Sequence, residues 1–156
     1  MRSAYVASKN VDELEVLIDH AIGSARNSSD ANRLPHELVM GASQLLKVEA
    51  YEKSAQLLDE FLELAKIQSS KNWTYFYVKS LLGEVYLNQS KLKRAKLFLA
   101  EGYEGMNRQA DTIPASVRQT YLTNCLAQLV NLATKLEDEE ALKKWKAELE
   151  SIRTAG

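Results

Sequence analysis

Leu82-Gly83-Glu84-Val85-Tyr86, followed by Leu92-Lys93-Arg94-Ala95 and then by Leu99 and Gly102, is the most informative stretch of the chain. Tyr77, Leu81, Leu82, Val85 and Tyr86 fall three and four apart, the spacing that places side chains on one face of a helix, so a helix runs from about Trp73 to Leu87. Asn88-Gln89-Ser90 reads as a tight turn. Ala95, Phe98, Leu99 and Gly102 then share one stripe of a second helix, from Leu92 to about Met106. Small residues at Gly83, Ala95 and Gly102 let two antiparallel helices approach closely, and the large residues beside them fill the gaps.

The same rhythm extends to both sides. Upstream, Tyr51, Ala55, Leu58, Phe61, Leu62 and Ala65 mark one helix. Leu38, Ala42, Leu45 and Leu46 mark its predecessor, which starts near Pro35, a residue suited to a first helical turn. Still earlier, Val11, Leu14, Leu17, Ile18, Ala21 and Ile22 predict a helix over 11–25, with Asn10 as its N-cap and 1–10 as a poorly ordered N-terminus. Downstream, Leu122, Leu126, Leu129, Val130 and Ala133 predict a helix from Pro114 to about Leu136, and Leu142, Trp145, Leu149 and Ile152 a last one. The expectation is a single all-α domain over 11–156 of about seven helices. One extra helix precedes pairs at about 34–68, 73–108 and 114–153.

Composition agrees. Six glycines and two prolines in 156 residues leave few turns, which excludes an all-β sandwich or barrel. Twenty basic against twenty-one acidic residues lack the basic excess of a nucleic-acid binder. With 46 % apolar residues the chain can bury a core. No run approaches a membrane span, and the start, Met1-Arg2-Ser3-Ala4-Tyr5, lacks the apolar core of a signal peptide. One cysteine, Cys125, permits no internal disulfide and suits a reducing, cytoplasmic setting.

The central unit resembles the tetratricopeptide repeat. In that family a Leu-Gly pair is followed by Tyr three residues after the Gly, then by a small residue, a large one and a small one at twelve, sixteen and nineteen. Gly83, Tyr86, Ala95, Leu99 and Gly102 occupy those offsets. Before it, Ala42 and Leu45 stand where the Gly and Tyr belong, and Tyr51-Glu52-Lys53-Ser54 resembles the start of the paired helix. After it, Leu126-Ala127 with Val130, and Ala141, resemble a third unit whose turn needs about two extra residues. Ser54 to Ala95 spans 41 positions, longer than the standard repeat of about 34, as in the variant arrays of bacterial transcription activators and signalling scaffolds. The resemblance implies a right-handed superhelix of antiparallel helix pairs, an α-solenoid.

Chemistry-bearing clusters are sparse. His20 and His36 stand without a second ligand at metal-binding spacing, and Cys125 without a partner base. Gly41, Gly83 and Gly102 are isolated inside helices, so no phosphate-binding loop is present. The basic run Lys91, Lys93, Arg94, Lys96 reads as a solvated helix face. Trp73-Thr74-Tyr75-Phe76-Tyr77 is the most unusual stretch, because four aromatics around a helix start cannot all face one core.

What the resemblance implies is a groove lined by the first helix of each pair, where a peptide or partner helix binds. Carried onto this chain, that groove is lined by His36, Ser43 and Lys47, by Tyr77, Ser80, Glu84 and Asn88, and by Tyr121, Asn124, Gln128 and Asn131. Tyr77 and Tyr121 are the expected hydrophobic anchors. The carboxamides, three and four apart on one face, can both donate to and accept from an extended backbone. The expectation is a non-catalytic interaction module with a protein or peptide partner, no cofactor or metal, and no nucleic-acid or membrane contact. The alternative is an effector-sensing repeat domain of a larger regulator. The terminal helix, with Leu142, Trp145, Leu149 and Ile152, offers a homodimer face.

Overall fold

The computed structural model describes residues 2–68 and 71–155, with 2–7 as backbone alone. Ser69 and Ser70, read from sequence as part of a break, lie outside the described residues. The helices are α1 (Arg2–Arg26), α2 (Arg33–Lys47), α3 (Tyr51–Ile67), α4 (Trp73–Asn88), α5 (Leu92–Arg108), α6 (Ala115–Lys135) and α7 (Glu139–Ala155). A single 3-10 turn, Ala110–Thr112, precedes α6, and no strand occurs among the described residues. The protein has an all-α helical-repeat fold, and none of its described helices is long and apolar enough to cross a membrane. The chain divides into two compact units, Met1–Gln68 and Ser69–Gly156, where one domain over 11–156 is expected from sequence.

In the first unit α2 packs against both α1 and α3. Ile18, Ile22 and Ala25 of α1, Leu38, Ala42 and Leu45 of α2, and Leu57, Leu58, Phe61 and Ala65 of α3 form its core. Buried Ser54 donates its hydroxyl to the Ala42 carbonyl at 2.8 Å, so the one polar side chain in this seam is satisfied. The backbone of α1 extends back to Arg2, ahead of the start expected at Val11. Asn10 lies inside this helix and is not its cap, since neither Gly nor Pro interrupts the chain before it.

In the second unit α4 and α5 form the tightest pair. Gly83 sits against Leu99, and a Cβ there would lie 2.9 Å from the Leu99 backbone nitrogen. Gly102 sits against the backbone of α4, with its missing Cβ 2.8 Å from both the Phe76 carbonyl oxygen and the Ser80 nitrogen. Gly105 makes room for the Phe76 ring. Leu82, Val85, Leu99, Met106, Leu126 and Leu129 fill the core around this seam. The Tyr103 hydroxyl donates to Glu148 Oε2 at 2.7 Å, and its ring meets Trp145 edge-on at 5.6 Å, which ties α7 to α5. Trp145 is buried and Leu142, Leu149 and Ile152 half-buried, while α7 exposes Lys143, Lys144, Lys146, Glu150 and Arg153. The apolar side chains expected as a dimer face thus turn largely inward, and the outer face is charged.

The three hairpins close by one shared turn. Glu49, Ser90 and Glu137 each take a left-handed backbone, with φ of 63°, 59° and 54°. In each the next residue donates its N–H across six residues, from Ala50 to Leu45, Lys91 to Tyr86 and Asp138 to Ala133, at 2.8–3.0 Å. Glu49 and Ser90 are 41 residues apart, and Ser90 and Glu137 are 47 apart. The third turn has the same length as the others, so the two extra residues expected there are absent. Ala127, taken as the glycine equivalent, faces solvent; α6 is instead the longer helix, and its inward register is set by Leu126, Leu129 and Ala133. A left-handed conformation strains any residue with a Cβ by about 1–2 kcal/mol. Glu137→Gly is therefore expected to raise stability by up to about 1 kcal/mol, read as a higher urea midpoint at unchanged slope.

Candidate functional site

The second unit brings four of the expected side chains together between α4 and α6, Tyr77 with Tyr121 and Glu84 with Gln128. Asn72 caps α4, its side chain accepting from the Tyr75 N–H at 3.2 Å, and this fixes where the aromatic run enters the helix. From there the four aromatics diverge. Phe76 is buried beneath α5, and Tyr75 packs edge-on to it at 5.2 Å. Trp73 and Tyr77, both half-buried, turn to α6, where the Tyr77 and Tyr121 rings stack at 4.2 Å with 20° between planes. Trp73 lies 6.1 Å from Tyr121 and 6.3 Å from Tyr77, completing a three-ring shelf. Sequence alone assigned Tyr77 and Tyr121 to the groove but left Trp73 out; its place in the aromatic run was the available signal.

Seven residues further along each helix, Gln128 Nε2 donates to Glu84 Oε1 at 3.4 Å. The Tyr77–Tyr121 and Glu84–Gln128 pairs have the same 44-residue separation, so α4 and α6 run side by side in the same direction. At about 1.5 Å of rise per residue, ring shelf and carboxylate stand about 10 Å apart along the helix axes. Glu84 is half-buried, and among the described residues no lysine or arginine pairs with it. Loss of water around the carboxylate pushes its pKa up. The folded state therefore holds the Glu84 proton more tightly than the unfolded chain does. The contribution of Glu84 to stability falls as pH rises from the ordinary carboxylate range through its raised folded value.

The other assigned residues are placed as follows. Asn88 is exposed and donates its amide to the Glu84 carbonyl at 2.9 Å. Asn124 and Asn131 are exposed on α6. Ser80 is a correction: it is buried, packs against Gly102 of α5, and gives its hydroxyl to the Tyr77 carbonyl at 2.6 Å, so it faces the α5 seam. His36, Ser43 and Lys47 belong to α2 of the first unit, where His36 and Lys47 are exposed and Ser43 half-buried. Cys125 is buried and donates its thiol to the Leu99 carbonyl at 3.4 Å, and burial pushes its pKa up, so it is held as a thiol. The basic run at the start of α5 is exposed at all four positions; Lys91 and Arg94 lie over the Tyr86 ring, and Lys96 pairs with Asp138 at 3.8 Å.

A solved structure shares this fold. BtubC (BKLC) from P. vanneervenii is similar over 94 % of this chain and 74 % of its own, with a TM-score of 0.56 and 14 % sequence identity. At that identity the likeness speaks for the arrangement of helices alone. No protein-family model matches the chain, and no curated protein matches it.

Proposed function

We propose that this chain is a non-catalytic protein-interaction module of tetratricopeptide-like helix pairs, working in the cytoplasm, that binds an extended peptide or partner segment along the α4–α6 face. The observation that carries the reading is the Trp73–Tyr77–Tyr121 shelf. Three large rings remain half-buried side by side, whereas Phe76, Tyr86, Tyr103 and Trp145 of the same unit are buried and the half-buried Tyr75 and Phe98 each lie beneath the Lys79 ammonium. Rings with an apolar body and a polar rim are the side chains from which interfaces draw most of their energy. Beside them Asn124, Gln128 and Asn131 supply donors and acceptors suited to a peptide backbone.

Selection from a displayed library of random nonapeptides against the purified protein tests this. Tyr121→Ala is expected to weaken the selected peptides at least tenfold, the effect of removing an aromatic anchor of about 1.5 kcal/mol or more, with only a small change in melting temperature. Asn124→Ala is expected to weaken them less. Selected peptides that bind both variants as well as the unaltered chain would remove the groove assignment.

A further inference from the structure

We infer that the α4–α6 face selects ligands carrying a basic side chain, arginine above lysine, which sits on Glu84 while an aromatic or apolar residue three positions away rests on the Tyr77–Tyr121 shelf. This rests on the proposed groove and names what enters it.

Glu84 is the starting point. It is a half-buried carboxylate on the face of the shelf, with one oxygen engaged by a neutral carboxamide and no cation paired with it among the described residues. Elsewhere in the second unit the half-buried Lys79 pairs with Glu101 at 3.3 Å and the half-buried Asp138 with Lys96 at 3.8 Å, while Glu148, like Glu84, meets a neutral donor, the Tyr103 hydroxyl at 2.7 Å. A carboxylate withdrawn from water without a counter-charge opposes folding, and the upward shift of its pKa has the same cause. A glutamine in its place would keep the amide contact and remove that opposition. A cation supplied by a ligand removes it too, so the uncompensated charge fits a basic group in a partner.

The spacing narrows the ligand further. Shelf and carboxylate are seven helical residues apart, about 10 Å. In an extended chain of three residues per turn, positions i and i+3 lie on one side and about 9 Å apart. The ligand therefore presents its two anchors three residues apart. Arginine is preferred to lysine because its planar fork can donate to a carboxylate through two N–H groups and can lie against a ring face.

The nonapeptide selection, repeated with Glu84→Gln, tests this separately from the groove itself. The unaltered protein is expected to enrich peptides with Arg or Lys three positions from an aromatic or large apolar residue. Glu84→Gln is expected to bind those peptides at least tenfold more weakly, to lose the basic preference in its own selection, and to melt no lower than the unaltered chain. Peptides that depend on Tyr121 but show no basic position and bind Glu84→Gln equally well would overturn the inference and leave the groove standing. Selection of no peptides, or of peptides indifferent to both Tyr121→Ala and Glu84→Gln, would overturn the groove and this inference together.

Discussion

Gly102→Val is expected to cost about 3 kcal/mol of stability, one of the two largest effects foreseen for this chain. In an exposed helix, replacing glycine is stabilising, because any side chain restricts the unfolded backbone and alanine gains about 1 kcal/mol over glycine. At Gly102 the sign reverses. The atoms facing the missing Cβ are the Phe76 carbonyl oxygen and the Ser80 nitrogen, both 2.8 Å away and both main chain, so no rotamer change can clear them. Helix α4 would have to lift off α5, opening the seam filled by Leu82, Leu99 and Met106. Gly23 provides the control within the same molecule, because nothing lies within 4 Å of a Cβ built there. Gly23→Ala should gain about 0.5–1 kcal/mol. Urea unfolding of both variants reads the two signs, and a Gly102→Val protein as stable as the unaltered one would mean that α4 and α5 do not approach this closely.

Leu82→Ala is expected to cost about 2–5 kcal/mol, the usual range for a large aliphatic side chain removed from a closed core. Leu82 is fully buried at 0 % exposure, beside the Gly83–Leu99 contact. Because that contact locks the two backbones, the surroundings cannot collapse far into the space, which places the cost towards the upper part of the range. Against a total of about 5–15 kcal/mol for a domain, such a loss leaves a sizeable unfolded fraction near body temperature. Thermal unfolding followed by circular dichroism would show it, and a midpoint within a degree or two of the unaltered chain would contradict the packing described for this seam.

The helix pairs were legible because apolar residues recur three and four apart and stop at polar breaks. The boundaries expected near 34, 73 and 114 fall within a residue or two of Arg33, Trp73 and Ala115. What was not legible has physical reasons. Glu49, Ser90 and Glu137 reverse the chain in a conformation usually signalled by Gly or Asn, so their residue types conceal the shared turn. Nine of the sixteen residues of α4 are buried, which removes the polar face that would have shown where its groove side lies. Ser80 was accordingly placed in the groove by offset alone, although Gly102 draws it to the other side. The register of the third pair was misread at Ala127 because a lone alanine serves equally well on a wet face and in a seam. The stack of Tyr77 on Tyr121 joins residues 44 apart and depends on how α4 and α6 lie together, which single-helix periodicity does not carry.

The shared reversal at Glu49, Ser90 and Glu137 also bears on how the chain reaches its folded state. Each of these turns returns a helix directly onto the one before it, across a connection of three residues. The entropy of closing so short a loop is small, and the search for a partner helix scarcely leaves the neighbourhood of the chain already made. Topologies of this kind assemble in microseconds to milliseconds, and each hairpin can nucleate by itself before its neighbours dock. In a nascent chain the residues of the α2–α3 hairpin are therefore free to pair as soon as they have left the ribosome, without waiting for α6 and α7.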